Sequence, residues 1–320
     1  MGRKAVVLMS MGGPDSLDAV YPFLRNLFDD PHIIPAPWPI RKILSWHIAR
    51  KRTPFAQENY RVLGGKSPLL EQSLAQASEL QNFFNKNETK IFVCMRYWHP
   101  FSKDVAKEVE KFNPDEVILL PLYPQYSTAT TLSCFEDWEK NCKIKNRKIC
   151  CYPTEPGFIA AISRLLKNGL LDKEKPVVLF SAHGLPVSMV KAGDPYQFQI
   201  EQTVAAVIKE FPNLNYRICY QSRVGPKEWL KPYTDEEIIK ESKAGNDVII
   251  VPVAFISEHS ETLYELDIEY GNLAKENNAK SYTRVRTVEI SPEFIEGLSK
   301  LIKTEQTKKN CSNFKKCYQC

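Results

Sequence analysis

Three apolar, β-branched runs in the first half of this 320-residue chain return, in the same order, in its second half. Val6-Val7-Leu8-Met9-Ser10-Met11-Gly12-Gly13 matches Val177-Val178-Leu179-Phe180-Ser181-Ala182-His183-Gly184 at an offset of 171. Ile91-Phe92-Val93-Cys94 resembles Tyr216-Arg217-Ile218-Cys219 at an offset of 125, and Val117-Ile118-Leu119-Leu120-Pro121-Leu122 matches Val248-Ile249-Ile250-Val251-Pro252-Val253 at 131. Longer amphipathic stretches separate such runs, among them Leu69 to Asn85 and Gln199 to Phe211. Buried strands alternating with helices form βαβ units in parallel sheets. One matched pair of strands arises by chance; three in order, two sharing Pro or Gly at the same offset, point to a duplicated α/β domain. The expected division is residues 1–152, 153–305 and a Cys-containing tail, 306–320, with the boundary between Pro153 and Lys175.

The unequal offsets leave about 40 surplus residues between the first two strands of the first half. An insertion is expected at about residues 30–55, and its segment 32–52 holds three prolines, two tryptophans and a basic amphipathic stretch ending Arg50-Lys51-Arg52. That composition suits the rim of an apolar ligand or a membrane interface; packing on its own domain is the plainer alternative. No run is long enough to span a bilayer, which takes about 20 apolar residues: Val248 to Ile256 is nine and contains Pro252. The N-terminus has no secretory apolar core, so a cytoplasmic protein is expected. Lys and Arg number 43 against 38 for Asp and Glu, a dispersed net charge of +5 that excludes a concentrated nucleic-acid face and leaves an anionic small molecule or membrane surface open. Nine cysteines, an odd number without an export signal, are expected to be mostly buried thiols rather than a disulfide framework.

Ligands of open α/β sheets sit beyond the carboxyl ends of the strands. Two clusters of reactive side chains stand there. In Phe180-Ser181-Ala182-His183-Gly184-Leu185-Pro186, a histidine follows a buried strand at the place where the first half, at an offset of 171, has Gly12. The second is Ser257-Glu258-His259-Ser260-Glu261-Thr262-Leu263-Tyr264-Glu265-Leu266-Asp267-Ile268-Glu269-Tyr270. On an α-helix, Glu261, Glu265 and Glu269 share one face, with Leu263 and Leu266 toward the core. Carboxylates so placed bind a hydrated cation or pass protons, and imidazole suits transition metals, so His183 and Glu261 form a candidate open metal site beside His259. A solvated acidic face is the alternative. Gly12-Gly13 and Gly64-Gly65 make neither a Walker A loop nor a complete dinucleotide fingerprint, and no Gly-x-Ser-x-Gly elbow is present.

The motifs together resemble a family along nearly the whole chain. They are Met11-Gly12-Gly13-Pro14, Tyr60 to Leu69, Met95-Arg96-Tyr97 with His99-Pro100, and Leu122-Tyr123-Pro124-Gln125-Tyr126-Ser127. Further along come Ser181 to Pro186, Gly193-Asp194-Pro195-Tyr196, Tyr220 to Pro226 with Trp229-Leu230, and His259 to Tyr270. In these the chain resembles the ferrochelatases, which insert ferrous iron into a porphyrin. The resemblance implies two similar Rossmann-like domains with parallel sheets and the porphyrin in a cleft between them. It implies His183 and Glu261 as the central pair for metal and pyrrole protons, with Glu265, Glu269 and His259 along a proton or metal path. It implies Met11, Arg61, Tyr97 and Tyr123 as porphyrin contacts, and residues 32–52 as an apolar lip in peripheral contact with the inner face of a membrane. Lys66, Glu258 and Ser10 depart from residues common in the family.

The expected activity is therefore insertion of Fe(2+) into protoporphyrin IX, with coproporphyrin as the nearest alternative. A non-catalytic porphyrin or haem carrier of the same fold would not need the carboxylate stripe, and a cobalt chelatase of corrinoid synthesis fits the porphyrin motifs less well. Whether His183 accepts a proton or coordinates iron stays open, because one nitrogen cannot do both at once. Some members of the family hold a [2Fe-2S] cluster on C-terminal cysteines and one internal cysteine. Here Cys311, Cys317 and Cys320 with Cys151, or Cys150 in its place, would supply four thiolates. A tail of oxidisable thiols is the alternative.

Overall fold

The computed structural model describes residues 2–304. The chain divides into two compact units, residues 1–151 together with 299–304 of the described C-terminal segment, and residues 152–298. The first unit carries strands β1 (Lys4–Ser10), β2 (Thr89–Met95), β3 (Glu116–Pro121) and β4 (Asn146–Lys148). Its helices are α1 (Val20–Phe28), α2 (Trp38–Val62), α3 (Leu69–Gln81), α4 (Ser102–Phe112) and α5 (Ser133–Asn141). The second has β5 (Pro176–His183), β6 (Tyr216–Gln221), β7 (Asp247–Pro252) and β8 (Ser281–Arg284), with α6 (Pro156–Gly169), α7 (Val187–Lys191), α8 (Tyr196–Ile208), α9 (Thr234–Lys243), α10 (Tyr270–Glu276) and the start of α11 (Pro292–Lys303).

Both sheets are parallel, in the order β2-β1-β3-β4 and β6-β5-β7-β8. The duplicated reading is thus found as two copies of one topology. β1, β3, β5 and β7 are almost wholly buried, which is why they read as unbroken apolar runs rather than as alternating ones. In each copy the second strand lies on one side of the first and the third strand on the other. The crevice where chain direction diverges therefore opens at the carboxyl ends of β1 and β3, and of β5 and β7.

The register corrects one expectation. Leu122 N–H donates to the Met9 carbonyl at 2.7 Å, and Val253 N–H to the Ser181 carbonyl at 3.0 Å. Met9 therefore corresponds to Ser181, the offset between first strands is 172, and His183 stands where the first unit has Met11, not Gly12. A run of similar apolar residues slides by one without losing its match; the hydrogen-bond ladder does not.

Most of the stretch expected as an insertion, 30–55, lies in the long α2, which follows α1. α2 starts with Pro39 in its first turn, where the missing N–H is no loss. α1 and α2 bury Val20, Phe23, Ala49 and Tyr60 against each other and against Tyr97. Trp38, Ile40, Ile43, Leu44, Trp46 and Phe55 are nevertheless exposed, Ile43 to 67%. No helix among the described residues is long and apolar enough to cross a membrane.

Candidate active site

The segment after β7 begins a helix at the carboxyl end of the sheet, and residues Glu261–Glu269 wind as a π-helix rather than the α-helix expected. Such windings are uncommon and concentrate at functional sites. The wider winding also changes the buried stripe: Thr262, Leu266 and Tyr270 face inward, while Leu263 is half-buried. Glu261, Glu265 and Glu269 each immediately precede a member of that stripe and form a row running from the half-buried Glu261 to the exposed Glu269.

Two anchors hold this segment. At its start, the Gln221 amide donates to the Glu261 carbonyl and to Glu265 Oε2, both at 3.1 Å. Glu265 also accepts from Ser222 N–H at 2.8 Å, from the Ser222 hydroxyl, and from the Tyr270 hydroxyl at 3.1 Å. Arg284, on the edge strand β8, donates to Glu258 just ahead of the segment and, at 2.7 Å, to Asp267 toward its end. Glu258 additionally accepts from Thr287 N–H at 3.0 Å. Burial opposes ionisation of Glu258, but Arg284 and these hydrogen bonds outweigh it and hold its carboxyl below the usual range. The departure at Glu258 is thus a buried structural anchor.

His183 ends β5. Its Nδ1 lies 2.7 Å from the carbonyl of Gly184 and its Nε2 3.4 Å from Glu261 Oε1. A carbonyl only accepts, so Nδ1 carries a proton and Nε2 is the nitrogen turned to Glu261. Burial disfavours the charged ring, yet the Glu261 carboxylate, its hydrogen bond, the Gly184 carbonyl and Glu265 push His183 up to about 9. Gly184 is required here: a Cβ on it would stand 2.8 Å from the Gln221 carbonyl and 3.1 Å from the Trp229 ring. His259 Nε2 lies 4.0 Å from Glu261 Oε2, its buried Nδ1 has no hydrogen-bond partner, and burial lowers its pKa, so this ring is neutral. Burial and the Glu261 charge raise Glu265; burial and the Glu265 charge raise Glu269. Glu265 and Glu269 therefore accept protons more readily than isolated carboxylates do.

Among the described residues no group of three or more His, Cys, Asp or Glu side chains forms a closed metal site. His183 and Glu261 make a two-donor arrangement, which leaves an ion's other positions open.

The first-unit candidates meet at the matching crevice. Met11 is half-buried between the ends of β2 and β3; its carbonyl accepts Tyr97 N–H at 2.9 Å, and the buried Tyr123 hydroxyl lies beside Met11 and Ser10. Tyr97 is enclosed, its hydroxyl donating to Asp30 at 2.9 Å. Asp30, 1% exposed, also takes Arg96 at 2.8 Å and the Ser133 hydroxyl. Asp30 and Arg96 were not singled out from the sequence, because residues 66 positions apart show no pairing signal until the sheet joins them. Arg61 lies apart from this cluster, exposed near the end of α2 and paired with Glu58. Cys311, Cys317 and Cys320 lie outside the described residues, while Cys150 and Cys151 follow β4 and are buried.

A family model described as ferrochelatase matches residues 3–306. The chain belongs to the ferrochelatase family. Ferrochelatase of Pelagibacter ubique is 43% identical over 337 residues, with 98% of each chain covered. The ferrochelatases of Caulobacter vibrioides and Rickettsia bellii are 47% and 48% identical, covering 94% of this chain and 90% and 86% of their own. Among solved structures, SirB from Bacillus subtilis with Fe3+ superposes with a TM-score of 0.57 at 10% identity, over 94% of both chains. CbiX, the terminal enzyme of sirohaem biosynthesis in denitrifying bacteria, gives 0.54 at 12% identity over 95% of this chain and all of its own. These likenesses concern the fold: two similar α/β halves of chelatase type. Like its ferrochelatase relatives, the chain is a metal-inserting lyase of haem biosynthesis with ferrous iron and a porphyrin as substrates.

Proposed function

We propose that the chain inserts Fe(2+) into protoporphyrin IX, with His183 and Glu261 serving the ring centre and Met11, Arg61 and Tyr123 holding the macrocycle. The observation that carries this reading is the His183–Glu261 pair, 3.4 Å apart at the divergence of β5 and β7, backed by a row of two further carboxylates. A two-donor site suits an ion that must leave for the porphyrin, whereas a closed site would retain it. Met11 offers an apolar contact, and the exposed Arg61 guanidinium suits a porphyrin carboxylate. Tyr97 acts from behind, keeping Asp30 and the wall around Met11 in place.

Insertion releases two pyrrole protons for each ferrous ion that enters. In the resting site Nε2 of His183 is protonated against Glu261, because its pKa lies at about 9. As the dication approaches, that proton passes to Glu261 and along Glu265 and Glu269 to water, and Nε2 takes the two pyrrole protons one after the other, each leaving along the same row before the next arrives. Apolar contacts remote from the ring centre supply the binding energy that bends the macrocycle. His259, neutral with its Nε2 4.0 Å from Glu261 Oε2, stands beside the pair on the proton or metal path.

The exposed Trp38, Ile40, Ile43 and Trp46, with Arg50, Lys51 and Arg52 following, support peripheral attachment of a cytoplasmic protein to the inner membrane face, where an apolar porphyrin partitions. This surface favours protoporphyrin over the more carboxylated coproporphyrin. The test is ferrous insertion into both by purified protein. Higher kcat/KM with protoporphyrin supports the assignment, higher kcat/KM with coproporphyrin reverses it, and tight porphyrin binding without turnover returns the carrier reading.

We also propose that Cys311, Cys317 and Cys320 with Cys151 hold a [2Fe-2S] cluster. Four thiolates match the donor set of such a cluster, which would tie the tail to the first unit. Anaerobically purified protein should then contain about two acid-labile sulfides per chain; colourless protein without them removes the cluster.

A further inference from the structure

Gln221 is 1% exposed, and every polar atom of its side chain is engaged. Its Oε1 lies 2.8 Å from the Ser181 hydroxyl, which in turn lies 2.9 Å from the Thr234 hydroxyl at the start of α9. On the other side stand the Glu261 carbonyl and a Glu265 carboxylate oxygen, and both can only accept. The orientation of the amide is therefore fixed: its NH2 must face the π-helix, and Ser181 must donate to Oε1. One buried amide thus spends one proton on the main chain of Glu261 and the other on the side chain of Glu265.

The first unit contains an independent parallel. Ser10 pairs with Met95 and Ala182 with Tyr220, so Arg96 occupies the place of Gln221. Arg96 Nε donates to the Ser133 hydroxyl at 2.8 Å, in the first turn of α5, which also follows a π-helical turn (Thr128–Leu132). In both units the residue at the end of the second strand reaches across to pin a helix that opens with π winding.

We propose that Gln221 is a positioning residue for iron insertion, which sets Glu261 against His183 and aims the Glu265 carboxylate to receive the proton that Glu261 gives up. This rests on the reading of the carboxylate row given above. It assigns Gln221 no contact with iron or porphyrin.

The test is a kinetic cycle on the full chain. Gln221→Met keeps side-chain length and removes both donors. Its kcat should fall about 10–100-fold, the usual range for groups that orient metal-site ligands. The KM for porphyrin should stay within about two-fold of wild type. Gln221→Glu can donate only when protonated, so its kcat, relative to wild type, should recover as pH falls; a merely structural role predicts no such recovery. Combined with Glu265→Gln, the Gln221→Met substitution should cost less than it does alone, because one of the two groups it positions is already disabled. Full kcat in folded Gln221→Met, or additive losses in the double variant, overturns the proposal. If Glu265→Gln alone retains full kcat, the carboxylate row is not the proton path, and that reading fails instead. Should Gln221→Met not fold, Gln221→Glu decides: a kcat, relative to wild type, that does not recover as pH falls overturns the proposal equally.

Discussion

Counting the same number of residues past β3 and past β7 shows how one architecture serves two ends. The first unit places Met11 where the second has His183, and Thr130, Cys134 and Trp138 where the second has Glu261, Glu265 and Glu269. Cys134 and Trp138 are buried in the first unit's core, and burial pushes the Cys134 thiol far above its ordinary range. Glu265 and Glu269 instead form the polar row that reaches solvent. The fold supplies a crevice and a π-opened helix in both units; side chains make one crevice largely apolar and line the other with ionisable groups.

The sharpest way to break this comparison is to substitute both equivalent positions alike. His183→Ala is expected to lower kcat by about 10²–10⁴-fold, the range for a lost acid–base group, with the fold retained. Met11→Ala is expected to act mainly on the KM for porphyrin. Steady-state kinetics of both variants checks it, and equal kcat losses would erase the distinction between gripping and reacting units.

Stability should show the reverse asymmetry. Asp30 is buried with Arg96, Tyr97 and Ser133, so Asp30→Ala leaves Arg96 with the longer 3.5 Å ion pair to Asp137, strips the Tyr97 and Ser133 hydroxyls of their buried acceptor, and should destabilise by about 3 kcal/mol. Glu265→Gln relieves a carboxylate that burial disfavours but turns an NH2 toward donors that Glu265 accepts from, and should destabilise by a smaller amount, about 1–2 kcal/mol. Urea unfolding of the two variants measures the contrast.

A smaller effect concerns the insertion that only the first unit carries. Ile43→Ser with Trp46→Ser should weaken sedimentation with anionic vesicles by about ten-fold or more, since each large apolar side chain contributes about 1.5–3 kcal/mol when removed from water, while insertion into detergent-solubilised porphyrin is kept. Unchanged sedimentation would mean that the exposed face of α2 has no membrane role.

The smallest expected effect is on pH dependence. His183 is raised from its unfolded value near 6.5 to about 9. Its stabilising pairing is therefore fully present below about 6.5 and is lost as pH rises through about 9. Wild type should lose thermal stability between pH 7 and 9 more steeply than His183→Ala, and calorimetry across that window tests it. Glu258, held low, works in the opposite sense: its contribution is present above its unfolded value and is lost as pH falls through the folded one.

The sequence by itself determined the α/β class, the doubled order of strands, and the side chains at the strand ends. Period, burial and turn residues leave marks in local composition, and His183 and the three glutamates follow directly from those strands. What tertiary structure decided was register, winding and pairing. Val6-Val7 against Val177-Val178 reads equally well one residue out, and only the Leu122–Met9 and Val253–Ser181 hydrogen bonds set Met11 opposite His183 in the comparison. The carboxylate spacing fits α and π windings alike, and long-range anchors accompany the winding observed: Gln221 and Ser222 from one neighbouring strand end, Arg284 from another. Asp30 with Arg96 and Glu258 with Arg284 likewise become partners only when strands distant in sequence lie side by side, because a buried charge draws its stabilisation from whatever the fold brings within reach.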